Sequence, residues 1–300
     1  MKLVKYLFLT LICGLSFSSC YKPGQYKVSF HYDSSAYLSG EVYYLDEIEN
    51  VDIHWISGSI NFAYRDDDVY QIDIKEELKG VESLKDVLDI RLVRSAIIDK
   101  TLKIYFCASG ETYFPQNFYK NLTVTLPKDL SLNHLSTHSI DSEDNFSSLI
   151  CSSYDLYSVS GNINVNNINA DEINIESVSA SINVNDVSLN NKLNVNSVSG
   201  EMDINKINAT ELNIESVSSS LKMKDITGNI DIDTTSGNTT YSLKENEGFL
   251  VNFSSASGSF SSNTQYQRND NEYSLTGEII TYINCDTVSG SITINKEQAI

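Results

Sequence analysis

One short phrase returns along the chain: Val159-Ser160-Gly161, Val178-Ser179-Ala180, Val198-Ser199-Gly200, Val217-Ser218-Ser219 and Val288-Ser289-Gly290. The first four copies open at intervals of 19, 20 and 19 residues. A fixed period near 20 residues marks a stacked-coil protein, in which each repeat buries its apolar side only against its neighbours. The period constrains the fold before any other property does. It says little about chemistry, because a residue that recurs in every coil serves the scaffold.

Aliphatic residues keep a fixed register with the phrase. Before its opening residue stand Ile173 and Ile175, Leu193 and Val195, Leu212 and Ile214, Ile283 and Cys285; after it stand Ile163 and Val165, Ile182 and Val184, Met202 and Ile204, Leu221 and Met223. Apolar residues two apart share one face of a strand, so each coil is predicted to hold two short strands joined at the Ser-Gly corner. Ile168, Val187, Ile207 and Ile226 add a third inward position. The corner valines are read as inward too, so that Val198→Asp would place a charge in the stack.

The register continues through Ile140, Thr235 and Ala256, and reappears early in Val51, Ile53, Ile56, Gly58, Ile60 and Phe62. Ile168–Asp186 matches Ile207–Asp225 at 12 of 19 positions, as duplication of a two-coil unit would produce. The expected fold is all-β: a single-stranded β-solenoid of about 19–20 residues per coil with a β-rich N-terminal cap.

The region from Tyr21 to Tyr119 carries 11 of the 18 tyrosines and the only tryptophan, Trp55. Strand-like runs lie at Tyr26–Phe30, Val69–Ile74, Leu102–Phe106 and Leu122–Leu126, and Leu78, Val81, Leu84, Val87 and Leu88 predict a short helix over Glu76–Leu88. The expected organisation is a signal segment at 1–19, the cap and first coil at 20–126, and the solenoid at 127–300 with a hairpin inserted near 263–277. A cap is needed because a bare coil end exposes unpaired backbone.

Lys2 and Lys5, the apolar run Leu7–Leu15 and the ending Phe17-Ser18-Ser19-Cys20 read as an export signal too short to span a membrane. The ending resembles a bacterial lipoprotein box, with Phe17 where Leu or Val is usual, and makes Cys20 the predicted lipidation site. The chain is then exported and held by its N-terminal lipid on the outer face of the cell membrane or in the envelope. Of the remaining cysteines, Cys107, Cys151 and Cys285 form no disulfide or zinc spacing. The register places Cys151 and Cys285 in the interior.

The formal charge is −19, from 21 basic against 40 acidic residues, which repels nucleic acid phosphates and anionic lipid. Nucleic acid is therefore not an expected partner, and the membrane is reached only through the lipid.

Val51-Asp52-Ile53-His54-Trp55-Ile56-Ser57-Gly58, Leu122-Thr123-Val124-Thr125-Leu126-Pro127 and Thr287-Val288-Ser289-Gly290-Ser291-Ile292 follow one another in one register. Together they resemble the opening motif, the strand ending in Leu-Pro and the last repeat of the bacterial adhesin-like β-strand-repeat family, also called toast-rack domains. The resemblance implies a surface-anchored or envelope-stress protein and brings no catalytic residues with it.

Outward positions are where function is expected. Four before each corner runs an Asn/Asp column: Asp155, Asn174, Asn194, Asn213, Asp231, Asn252 and Asn284. It reads as a hydrogen-bonded ladder or as a binding strip for a cation or glycan. Two before the corner stand Glu176, Asn196, Glu215, Asp233 and Asp286. No cofactor and no dedicated metal site is expected, since His31, His54, His134 and His138 show no ligand spacing. No catalytic residue is assigned: no His or Arg occurs between His138 and Arg268, and the corner serines mark turn chemistry. The expected role is non-enzymatic, an adhesive or assembly module for a surface glycan or protein. The alternative is an envelope-stress component associating with membrane sensor proteins; a polysaccharide-active β-helix enzyme is the distant third.

Overall fold

The computed structural model describes residues 42–79, 92–109 and 118–297. The signal segment, Cys20 and the Tyr26–Phe30 run lie outside them. The described residues are all-β: nineteen strands join in one continuous sheet, with a single 3-10 turn at Leu45–Glu47. Among them, no helix is long and apolar enough to cross a membrane.

The centre of the molecule is a parallel β-solenoid. Strands β9 (Asn162–Ser177), β10 (Ile182–Ser197), β11 (Glu201–Ser216) and β12 (Ser220–Thr234) stack in register, Ile182 opposite both Ile163 and Met202, Val195 opposite both Ile175 and Ile214. Where the sequence predicts two short strands per coil, the backbone runs as one long bent strand. The bend comes at Asn167, Asp186, Lys206 and Asp225, and the preceding coil breaks into two strands at Ser148; all five are left-handed with φ between 52° and 57°. Asn and Asp tolerate that conformation better than other residues with a Cβ, which accounts for three of the five.

The aliphatic columns at Ile163, Val165, Ile168, Ile173 and Ile175 and their equivalents are buried throughout. The valines of the repeated phrase are not. Val159, Val178, Val198 and Val217 are half-buried and Val288 is 55% exposed. The inward corner position belongs instead to the preceding hydroxyl residue: Ser158, Ser177, Ser197, Ser216 and Thr234 are all buried. Strand alternation from Ile173 and Ile175 leads to Ser177, not Val178. A hydroxyl there also satisfies the turn, as Gly161 N donates to Ser158 Oγ (3.1 Å) and Gly237 N to Thr234 Oγ1 (3.0 Å). Val has no such atom to offer. Gly161 is set by close approach of coils and not by φ, since a Cβ there would lie 1.8 Å from the Ser142 carbonyl oxygen.

Both ends depart from chain order. The early coil β2 (Asn50–Tyr64) packs on β7 (Leu132–Ser147), and its other edge is covered by β5 (Thr101–Tyr105) and β6 (Tyr119–Leu126). β4 (Arg94–Ile98) adds antiparallel to β5, β3 (Gln71–Lys79) to β6, and β1 (Val42–Tyr44) to β3. Glu76–Lys79, predicted to open a helix, belong to β3. Pairing with β6 places Leu78 opposite Lys120 and overrides the weak helical period, while residues 80–91 lie outside the described set. β8 (Cys151–Ser158) links β7 to β9.

At the other end, β13 (Thr239–Leu243), β14 (Glu247–Ser255) and β15 (Phe260–Ser262) precede a hairpin of β16 (Gln267–Asn269) and β17 (Glu272–Leu275). The last coil, β18 (Ile279–Thr287) and β19 (Ile292–Lys296), then slots between earlier ones: β18 pairs with β12 and β14, β19 with β13 and β15. β17 covers the far edge of β14, protecting a strand edge that would otherwise invite pairing.

Candidate binding face

The outward face formed by β8, the later halves of β9–β12, β18 and β14 carries the Asn/Asp column. Alternation turns Ile173 and Ile175 inward and Asn174 and Glu176 outward. In space the column runs Asp155, Asn174, Asn194, Asn213, Asp231, Asn284, Asn252; the slotted coil exchanges the last two relative to the sequence. Side-chain amides link it. Asn174 Nδ2 donates to Asp155 Oδ1 (2.9 Å), Asn194 to Asn174 (2.7 Å), Asn213 to Asn194 (3.0 Å) and Asn252 to Asn284 (3.0 Å).

Such ladders are not peculiar to this face. Asn61, Asn145, Asn164 and Asn183 form another, with steps of 3.0, 2.9 and 2.9 Å, and Asn166, Asn185 and Asn205 a third. Sequence reasoning passed over both, although Asn61, Asn145, Asn164 and Asn183 each stand five after a corner residue. An Asn ladder is therefore part of the scaffold wherever it occurs. What distinguishes this face is the column beside it.

That second column reads Tyr105, His54, His138, Tyr157, Glu176, Asn196, Glu215, Asp233, Asp286 along successive rungs. One end is aromatic: His54 stacks on Tyr105 and on His138, each at 4.8 Å between ring centroids, and His138 meets Tyr157 at 6.1 Å. The other end is acidic. Asn196 separates Glu176 from Glu215, but Glu215, Asp233 and Asp286 then occupy three consecutive rungs. Between the ends lies an open groove with a volume of about 660 Å³, lined by Tyr157, Asn174, Asn194, Asn213, Glu215 and Asp233 among others.

The aromatic end also gathers histidines that the sequence holds far apart. Asp52 and His54 stand on β2, with Asp52 Oδ1 3.2 Å from His54 Nε2, and His138 is the rung partner of His54 on β7. Burial works to raise the Asp52 carboxyl, but the His54 contact and Lys103, 3.5 Å from Oδ2, outweigh it and hold the group below its usual range. Packing within the stack, then the neighbouring His54, lowers the basicity of His138. His134 lies outside the group, 3.4 Å from Asp155 Oδ2. The spacing argument missed this group because its two histidines meet across coils and not along a strand.

Two thiols and one carboxyl are perturbed in the interior. Cys107, Cys151 and Cys285 are buried; burial pushes the Cys151 thiol up to about 11, and burial followed by Asp286 and Asp233 pushes Cys285 up to about 12. Thiols held so far from ionisation are poor nucleophiles. Asp144 is fully buried, and burial raises its carboxyl to about 7 despite the hydrogen bond from Ser142.

The family profile described as Toastrack DUF4097 matches residues 48–295. The chain belongs to this toast-rack family. A solved structure of a putative adhesin from Bacteroides fragilis shares the toast-rack fold at 14% identity and a TM-score of 0.50, covering 86% of this chain and 95% of that one. A putative adhesin from Parabacteroides merdae matches at 13% identity and a TM-score of 0.46, over 87% and 96% of the two chains. A putative lipid binding protein from Parabacteroides distasonis matches at 13% identity and a TM-score of 0.38, over 87% and 97%. None of these names is that of an enzyme. No curated protein matches the sequence.

Proposed function

We propose that this toast-rack protein is a non-enzymatic binding module, lipid-anchored through Cys20 outside the cytoplasmic membrane, whose outward groove engages a surface glycan. The observation that carries the reading is the groove itself. A regular ladder of amides forms its floor, aromatic rings stand at one end and carboxylates at the other. Asn194 commits one N–H and one oxygen lone pair to its neighbours and keeps a second of each for a ligand, whereas Asn174 also donates to Glu172 Oε1 (2.9 Å) and the column's Asp155 and Asp231 can only accept. Donor or acceptor atoms therefore recur along the rungs, about 4.8 Å apart, which suits the hydroxyls of an extended oligosaccharide. Tyr157, which lines the groove, offers apolar ring area on which a sugar can pack. The adhesin name carried by the Bacteroides fragilis structure agrees with this reading.

A glycan array probed with the full chain tests it, with a set of surface proteins as the competing ligand class. Binding should be lost when Asn194 and Asn213 are both replaced by Ala, and kept when Asn164 and Asn183 of the other ladder are replaced. Equal loss in both variants, or binding only to proteins, would overturn the glycan assignment. The anchor is tested separately: Cys20→Ala should abolish fatty-acid labelling, and unchanged labelling removes it. Association with envelope membrane proteins is the alternative partner class; transcription regulators or membrane-stress proteins encoded next to this gene would favour it.

A further inference from the structure

Asp52, His54 and His138 bring three donors together at the aromatic end of the outward face. One ring nitrogen from each histidine and one Asp52 carboxylate oxygen lie within 4.8 Å of one another. We propose that these three side chains form a binding site for a borderline transition-metal dication of the Zn²⁺ class. The inference stands apart from the glycan reading, since it uses a different set of atoms on the same face.

The donor set selects the metal. Two neutral imidazoles and one carboxylate suit Zn²⁺, Co²⁺, Ni²⁺ or Cu²⁺, whereas Ca²⁺ and Mg²⁺ require shells of oxygen. In a tetrahedral site with bonds of about 2.1 Å the donors stand about 3.4 Å apart, so the widest separation here must close by about 1.4 Å. Asp52 Oδ1 and His54 Nε2 are already at 3.2 Å.

The remaining movement falls on His138. In parallel stacked rings the nitrogen lone pairs point the same way and do not converge, so one ring must turn. His54 is held by Tyr105, stacked on its far side with an interplanar angle of 14°. His138 is exposed, and its Nε2 is tied on its own strand to Ser136 Oγ at 3.2 Å. Lys103 lies 3.5 Å from Asp52 Oδ2, which leaves Oδ1 as the oxygen for the metal. Three protein donors leave at least one coordination position on the exposed side, where water or a donor from a bound partner completes the shell.

Titration of Co²⁺ into the full-length chain, followed by its visible absorption and then by Zn²⁺ displacement, tests the site. One equivalent should bind with nitrogen and oxygen ligation and without a thiolate charge-transfer band. His54→Gln and His138→Gln should each weaken binding at least about 100-fold, and Asp52→Asn roughly 10–100-fold. His134→Gln, on the same face but outside the set, should leave affinity unchanged. Circular dichroism checks that each variant folds; because His138 is exposed, His138→Gln decides the matter if His54→Gln does not fold. Absence of binding, a thiolate band, retained affinity in His138→Gln, equal loss in His134→Gln, or displacement of Co²⁺ by Ca²⁺ would each overturn the proposal.

Discussion

Asp144 stands directly opposite Ile163 in the parallel register of β7 and β9, a carboxyl group in a column that is aliphatic in the neighbouring coils. On its other side the rung partner is Ile60. Ser142 donates to Oδ1, and Oδ2 is buried without a hydrogen-bond partner. The carboxyl thus titrates near 7 when folded and near 3.8 when unfolded. The folded state holds the extra proton between those values, so this group's contribution is full below about pH 4 and is lost as pH rises to about 7.

The difference corresponds to on the order of 4 kcal/mol of unfolding free energy between pH 4 and pH 8. Asp144→Asn should remove that part of the slope and raise stability above pH 7. Chemical denaturation of both proteins across this range measures it, and an identical slope in the variant would contradict the assignment.

The corner chemistry gives a second test. Ser197 pairs with Ser177 at 2.8 Å between hydroxyl oxygens and donates to Ser199 O. Ser197→Ala should cost about 1–3 kcal/mol by stranding a buried hydroxyl. Val198→Asp, at a half-buried position, should cost less than Val195→Asp, which puts a charge at a fully buried site and should unfold several coils together. The reverse order from urea unfolding would mean that the corner is drawn incorrectly.

In the cap, Lys120 is fully buried, with its ammonium 2.9 Å from Glu76 Oε2 and 4.4 Å from the Phe106 ring centroid. Glu76 also accepts from Val93 N (3.0 Å). Glu76→Ala removes the counter-charge and should destabilise the cap by about 3–5 kcal/mol, whereas Lys120→Met, which removes the charge itself, should cost less. Trp55, whose Nε1 donates to Lys120 O, reports the change by fluorescence. An equal cost for both variants would argue that packing and not charge holds the cap.

Breaking the amide ladder should have only a local effect. Asn194→Ala removes a bond to Asn174 and one from Asn213 and should cost about 1–2 kcal/mol, with no change in the cooperativity of unfolding. A larger loss in thermal melts would mean that the ladder sets the stacking of coils.

The sequence made the central coils legible because their inward residues obey one period, and Ile163, Ile173 and Ile175 fall where that period puts them. It misjudged Val178 for a definite reason. The eye follows the recurring apolar residue, while the backbone follows strand alternation into Ser177. The helix read over Glu76–Leu88 failed at its start because pairing across β3 and β6 cannot be seen in a local window. On the binding face, Asn174 and Asn194 were legible as a column. His54 and His138 were not, since a rung partner in another coil leaves no mark on spacing along the chain.

The placement of β18 and β19 between older neighbours has a consequence for growth of the molecule. A ribosome delivers β14 and β15 before the coil they must rest on exists, so that end cannot settle until almost the whole chain has emerged. A further coil added after β19 could not stack on it, because β13 and β15 already hold both of its edges. From β7 to β12 chain order and stacking order agree along the whole coil, and there an inserted pair of coils slides in without disturbing either end. The 39-residue duplication lies within that stretch.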